Sequence, residues 1–393
     1  MPIIIMTIGS IALFLLSFVF KKNLSADEFG KYSILSTYIT MISSFGLFGS
    51  EQLLIREGKI NNDSSKIELG KSASALVATS FILTISFSFI FDYLNIFQNT
   101  LSLISFSFFC VYLMFSYNVF RLLKKFIFSQ LIQTVWKVLI LVIALIFVFF
   151  RFKLTYLLIE NIYLLTFIFS GLFVFIVTYR RVNINIKYIK HIRKKDFYLT
   201  FYFFISLFTM SLIGNGDRLL IESKFDVVEL GNYFFLNMLI LFPFNFIQSY
   251  LGFIYIVEFR ESDSPLSLIN EKKKHVLKYL LLLIFSICFL LFITINFKFL
   301  TFSFLLKNWL IVVVFVLSGV VRLYYSIYSS YMGANGNLLS IKKANIVSFM
   351  FTTVVILFLY FFAKTLFLIA LGFFIIWLIR LLIWKHYCLN NEN

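Results

Sequence analysis

Two charged side chains stand where charge is expensive. Lys137 sits almost at the centre of the apolar run 126–150, and Arg322 lies near the middle of the run 308–330. A cation at that depth persists when it faces a wet cavity, pairs with an acid in the bundle, or lies nearer an interface than the run suggests. Lys137 and Arg322 are therefore candidates for the wall of a polar cavity. The stretch IGNGDRLLIE, 213–222, adds Asp217, Arg218 and Glu222. Arg218 and Glu222 are four apart and share a helix face, whereas Asp217 and Arg218 are adjacent and diverge. The simpler reading is a local Arg218–Glu222 pair near the outer surface. The sharper one is that Gly214 and Gly216 loosen the helix and leave Asp217 free to take a cation or a proton.

Other reactive residue types offer little. Cys110, Cys288 and Cys388 are scattered singly through apolar surroundings, which fits buried small hydrophobes and neither a disulfide framework nor a metal site. His191, His275 and His386 lie far apart beside basic segments and read as solvated. Glu160 reads as interfacial, and Glu51 as an interfacial partner of Arg56.

The elements that must position these residues follow from composition. Of 393 residues, 61% are hydrophobic and 13% charged, against about 45–50% and 25% in soluble domains. Apolar runs of 18 residues or more occur at about 3–20, 32–55, 72–92, 100–120, 126–150 and 154–179, then at 197–222, 228–258, 276–297, 308–330, 346–363 and 365–387. A bilayer core asks for about 20 such residues per helix. The runs are too long and unbroken for the alternating strands of a barrel. The fold class is an all-α polytopic membrane protein of about 12 transmembrane helices. Pro243 marks a kink in its span.

The 35 Lys and Arg residues exceed 18 Asp and Glu, but they lie in short loops, so topology explains them better than nucleic acid does. Alternate sides of twelve spans carry 22 and 9 of them, the first count including Arg380 and Lys385. The positive-inside bias places both termini in the cytoplasm. The segment RRVNINIKYIKHIRKKD, 180–196, reads as a basic cytoplasmic linker between halves 1–179 and 197–393. It suits an amphipathic helix on anionic headgroups, the alternative being a specific lipid or partner site.

The halves are built alike. DEFGKY, 27–32, and VELGNY, 228–233, place Glu28, Gly30 and Tyr32 201 residues before Glu229, Gly231 and Tyr233. The same shift overlays spans one to six on seven to twelve. Six spans return the chain to its starting side, so the halves are parallel-repeat six-helix bundles around a central cavity, an arrangement of transporters that work by alternating access. The motif itself reads as a turn on the outer side, with glycine supplying backbone freedom and tyrosine at the interface. On this plan Asp217 is the acid that a coupling Na+ or H+ gradient would use, and no other cofactor is expected.

LSADEFGKYSILSTYITMISSFGLFGSEQLLIRE, 24–57, resembles the first outer loop and second helix of polysaccharide flippases in the multidrug/oligosaccharidyl-lipid/polysaccharide exporter superfamily. GDRLLIESKFDVVELGNYFFLNML, 216–239, resembles their seventh helix and the loop after it. With twelve spans and a basic central linker the likeness covers nearly the whole chain, and its style is that of Wzx-type O-antigen or capsule repeat-unit flippases. Members carry a cytoplasmic leader and a longer first helix, whereas this chain opens with MPIIIMTIG, 1–9, so either its true start lies upstream or its first helix is short.

The resemblance implies a bacterial inner-membrane, non-enzymatic flippase that moves undecaprenyl-diphosphate-linked oligosaccharide between leaflets. Its partners would be that lipid, the surrounding membrane lipids and other polysaccharide assembly proteins, with no nucleic acid. Such a cargo needs a polar, preferably cationic cavity, which is the role it implies for Lys137 and Arg322. Tyr324, Tyr328 and Tyr331 recur at helical spacing, and they would then stack sugars, or form a cytoplasmic aromatic belt. Flippases for lipid II or teichoic-acid precursors, and a membrane polysaccharide polymerase, are the rival readings. A multidrug exporter is disfavoured, because its cavity should be apolar or anionic.

Overall fold

The computed structural model describes residues 2–61, 66–94, 96–179, 181–182, 186–261 and 265–389. The chain divides into two compact units, Met1–Ser211 and Leu212–Asn393. In the first, the helices are α1 (Pro2–Asn23), α2 (Ala26–Phe45), α3 (Ser50–Glu57), α4 (Lys71–Phe91), α5 (Thr100–Leu122), α6 (Phe126–Phe149) and α7 (Tyr156–Thr178). Helix α8 (Lys194–Lys224) carries the boundary within it. The second unit continues with α9 (Val227–Glu261), α10 (Pro265–Asn296), α11 (Phe302–Lys307), α12 (Trp309–Asn335), α13 (Leu338–Phe362) and α14 (Leu366–Leu389). Among the described residues eleven of these are long and apolar enough to cross a bilayer.

The twelfth expected span, 32–55, is two helices. Its main part, α2, is long enough to cross but too rich in Ser and Thr to pass as a lipid-facing span. The reason is its position: most of its residues are buried inside unit 1, so protein rather than lipid solvates it. Its hydroxyls are satisfied locally, Ser33 donating to the Gly30 carbonyl (2.6 Å) and Thr37 to that of Ser33 (2.8 Å). The Tyr38 hydroxyl reaches Ser107 of α5. The run then breaks at FGLFG, where Gly49 adopts φ 80°. A β-carbon there would run into the Thr200 carbonyl of α8, so glycine alone closes the turn.

The doubled motif is not a turn. In the first copy Ser25 caps α2: the Glu28 amide donates to Ser25 Oγ (3.3 Å), and Glu28 Oε2 accepts from the Ser25 amide (3.2 Å), which is a capping box. Glu28 Oε1 also accepts from the Tyr156 amide (3.2 Å), tying the start of α7 to that of α2. The second copy repeats the register, with Asp226 in the place of Ser25 and Glu229 in that of Glu28. The Phe29 amide donates to the Ser25 carbonyl, and that of Leu230 to Asp226. Gly30 and Gly231 are helical, and Tyr32 and Tyr233 are buried at 1% and 2% exposure, not interfacial.

The same pairings recur in each unit. Helix α5 packs on α2, α4 and α7, and its counterpart α12 packs on α9, α10 and α14; α6 meets α7 as α13 meets α14. Helix α1 meets α6 where Thr134 Oγ1 donates to the Ile5 carbonyl. The equivalent contact in the second unit is Lys224 Nζ donating to the carbonyls of Leu359 (3.3 Å) and Tyr360 (2.7 Å) of α13. A short antiparallel hairpin, β1 (Lys59–Asn61) and β2 (Lys66–Glu68), joins α3 to α4, and the Ile67 amide donates to the Arg181 carbonyl (2.7 Å). Residue 180 and residues 183–185 of the basic segment 180–196 lie outside the described residues. Residues 186–191 form a 3-10 turn, and the seventh span starts at Lys194, inside that segment.

Helices α9 and α12 approach closely at Gly319, where a β-carbon would overlap the Phe244 ring. Gly319→Ala should therefore cost about 1–3 kcal/mol, as overpacked cores do, and lower the thermal midpoint of the detergent-purified protein. Gly214→Ala, at a helical site with nothing within 4 Å, should hold or raise it by up to about 1 kcal/mol of helix propensity. Equal midpoints for the two variants would contradict the packing described.

Candidate functional site

In the second unit a cluster of polar and charged side chains draws on α8, α9, α12 and α14. At its centre is the Asp217 carboxylate, 4% exposed. It accepts from the Tyr233 hydroxyl (2.9 Å), from Asn237 Nδ2 (3.3 Å) and from the Arg218 amide (2.9 Å). It also feels the charges of Arg218 and Arg322. One acid is thus held by three donors and two cations, which is how a buried carboxylate is kept without water.

The two arginines approach it differently. Arg218 sends Nη2 to Asn237 Oδ1 (3.1 Å) and lies over the Phe234 ring, 4.7 Å from its centroid. Arg322, on the buried face of α12, sends Nη1 to Asn245 Oδ1 (3.0 Å) and stacks on Trp377 of α14 at 4.6 Å. Arg322 Nε and Trp377 Nε1 are buried donors without a hydrogen-bond partner. A guanidinium with a spare donor beside an indole with another is suited to an acceptor-rich anion such as a phosphate, which a planar fork grips in two places.

Several sequence-derived expectations change here. Helix α8 runs unbroken through Gly214 and Gly216, so the glycines do not interrupt it; Gly216 instead lets Phe373 of α14 come close, 3.2 Å from where a β-carbon would be. Arg218 turns to Asn237 and Asn215 rather than to Glu222, and half-buried Glu222 stands apart from the cluster. Asp217, buried and bonded, is not open to solvent. Arg56 lies over Phe203 at 5.1 Å, not against Glu51. Glu160 is buried and accepts from the Gln98 amide (3.0 Å).

Tyr328 and Tyr331 are buried and Tyr324 is half-buried; Tyr331 packs edge-on against Phe259 of α9 at 5.6 Å. Their neighbour Tyr325 meets Trp377 and Trp384 of α14. Lys137 belongs to the first unit, half-buried on α6, its ammonium 5.5 Å from the Trp136 ring.

Three contributors were missed in the sequence. Asn237 and Asn245 are polar side chains eight apart in an apolar run, two turns on one face of α9, which was a usable signal. Arg380 was counted with the loops, yet it is 2% exposed within α14, lodged against Tyr325 (5.2 Å) and Trp384 (5.5 Å). The pattern WLIRLLIW, 377–384, with Trp377 three residues before Arg380 and Trp384 four after it, could have shown this face.

The charge balance gives a direct test. Asp217→Ala leaves Arg218 and Arg322 uncompensated and should cost about 3–5 kcal/mol. In Asp217→Asn/Arg322→Gln one acid and one cation leave together, so the double variant should unfold later than the two single costs summed, by about 0.5–3 kcal/mol of coupling. Thermal midpoints in detergent read this; strictly additive losses would show that the two charges are not linked.

The family described as polysaccharide biosynthesis protein matches residues 2–259, which takes in Asp217, Arg218, Tyr233 and Asn237 but stops before Arg322. No curated protein matches the chain. Among solved structures, one of the lipid II flippase MurJ in an inward closed conformation is similar with a TM-score of 0.69 at 14% identity, covering 98% of this chain and 86% of that one. A MATE protein in complex with MaD3S gives a TM-score of 0.59 at 12% identity over 100% and 95%. Another, in complex with MaL6, gives 0.56 at 13% over 100% and 96%. At such identities these likenesses establish the fold.

Proposed function

Since this chain belongs to the polysaccharide biosynthesis protein family, we propose that it is a flippase for undecaprenyl-diphosphate-linked oligosaccharide repeat units. It moves them from the cytoplasmic to the periplasmic leaflet of the bacterial inner membrane, by alternating access, to supply O-antigen, capsule or another surface polysaccharide. Both termini are cytoplasmic on this reading, and the chain performs no covalent chemistry.

The observation that carries the proposal is the Arg322 guanidinium, whose Nε is a buried donor without a partner beside Trp377, a group suited in hydrocarbon to meeting something polar. A diphosphate supplies the acceptors and the negative charge that such a donor calls for. Asp217 positions this machinery: it fixes Tyr233 and Asn237, and Asn237 in turn holds Arg218. Should transport draw on a Na+ or H+ gradient, Asp217 is the acid it would act on, and the cation would have to displace the Tyr233 hydroxyl. Lys137 is the matching candidate of the first unit.

Flippases for lipid II or teichoic-acid precursors handle the same lipid diphosphate, and one similar fold carries the name lipid II flippase. The cationic chemistry fits either cargo, so the sugar is what separates the two. The loops on the side assigned to the periplasm are short: 92–99, 150–155 and 297–301 separate helices there. They leave little surface for a polymerase site.

Complementation of a flippase-null strain tests the proposal. Wild type should restore surface polysaccharide. Lys137→Ala and Arg322→Ala should each reduce it by roughly tenfold or more at equal membrane abundance, the effect of losing a charged hydrogen bond of about 1.5–3 kcal/mol. Arg322→Lys should fail as well, because an ammonium cannot both stack on Trp377 and present a fork. Full rescue by both alanine variants would remove the cationic residues from the transport path.

A further inference from the structure

The first unit holds a cavity of about 730 Å³, walled by the end of α3, the β1–β2 hairpin, the start of α4 and the residues before α8. That size lies within the roughly 300–1,000 Å³ of small-molecule sites. The walls are tied to one another. Leu53, Ala73 and Leu76 form a small core with Leu69, Ile192 and Leu199 against it, and the Arg193 amide donates to Ser72 Oγ (3.1 Å).

Its charges do not balance. Arg56, Lys59, Lys71 and Arg193 line it together with His191, against Glu57 and Glu68. Glu57 is already taken, because Arg193 bridges it (2.7 Å) and Asp196 (2.7 Å). Three fixed cations then face one carboxylate. Among the described residues none of Arg56, Lys59 and Lys71 makes an ion pair; Arg56 lies over Phe203 and Lys71 over Tyr188 (5.8 Å), contacts that orient a cation without neutralising it. Glu68 is the register partner of Lys59 across the hairpin, and no ion pair joins them.

Loop lysines beside a membrane are ordinarily solvated and serve topology. These differ because separate elements, cross-linked by a core and an ion-pair network, turn them onto one concavity. Helix α4 begins at the same place, at Gly70, which has no side chain to cap it, so its first amides add positive potential to the same wall.

We infer that this cavity is a binding site for a phosphoryl group bearing two or more negative charges. The ligand is either the phosphate headgroup of an anionic lipid or a soluble phosphate or diphosphate. Lys59, Lys71 and Arg56 supply the charge, and the cavity has room for the group the phosphate is attached to. The site is independent of the transport reading, since none of its residues belongs to the Asp217–Arg322 cluster.

The full-length protein in phosphatidylcholine nanodiscs, titrated with inorganic pyrophosphate by calorimetry, tests this. Saturable binding is expected, weaker at higher salt. Lys59→Ala/Lys71→Ala should weaken it tenfold or more, and Lys59→Arg/Lys71→Arg should keep it, which separates charge from folding. Phosphatidic acid added to the nanodiscs identifies the source: suppressed pyrophosphate binding points to a lipid headgroup, and unchanged binding to a soluble phosphate. No saturable binding by the wild type, or equal binding by the double alanine variant, would overturn the inference.

Discussion

Hydrocarbon accepts no hydrogen bonds, so every polar group that this chain carries into the bilayer has to be satisfied by the chain itself. That constraint sorts its helices into two kinds. Those that face lipid, such as α6, α10 and α13, are apolar over most of their surface. Those that the protein surrounds can afford serine, threonine, asparagine and charge, because their neighbours replace water. Helix α2 is the plainest case: it is too polar to stand in lipid, and it is mostly buried. Asp217 is the extreme one, since its carboxylate survives on a tyrosine hydroxyl, an asparagine amide, a backbone amide and two nearby guanidinium groups.

The repeat makes the placing of these charges informative. Tyr32 and Tyr233 occupy equivalent positions and both reach back to the preceding membrane helix. In the first unit the hydroxyl lies 3.4 Å from Ser17 Oγ. In the second it donates to Asp217 at 2.9 Å. Shifting by 201 residues places Leu16 and Ser17 opposite Asp217 and Arg218. The scaffold is therefore served by a neutral contact, and one copy of it has been made ionic. Ion pairs buried in a bundle cost more than apolar packing of the same volume, so a charge carried by one copy and not needed by the other reads as function.

Much of the fold could be read from apolar runs, because a bilayer enforces a length and a polarity that few other environments do. The runs located eleven spans, and the doubled Glu, Gly and Tyr located the repeat. What could not be read came from contacts distant in sequence. The break between α2 and α3 depends on Gly49 meeting Thr200, 151 positions later. The β1–β2 strands are three residues each, too short for an alternating pattern to register. Arg322 and Asp217 could each be picked out as charges in apolar runs, but not as neighbours. Arg380 was hidden by its closeness to Lys385 and His386, which made it look like part of a terminal basic segment, although Trp384 of its own helix and Tyr325 of α12 lie against it.

The central claim is that the arginines clustered around Asp217 in the second unit handle an anionic lipid-linked cargo. The most direct measurement is translocation of a fluorescent undecaprenyl-diphosphate-linked saccharide in proteoliposomes of the purified protein. The account predicts transfer between leaflets well above that in protein-free liposomes, and its loss in Arg322→Ala protein reconstituted in the same amount. Transfer at the wild-type rate by that variant, or none by the wild type with any lipid-linked saccharide, would contradict it.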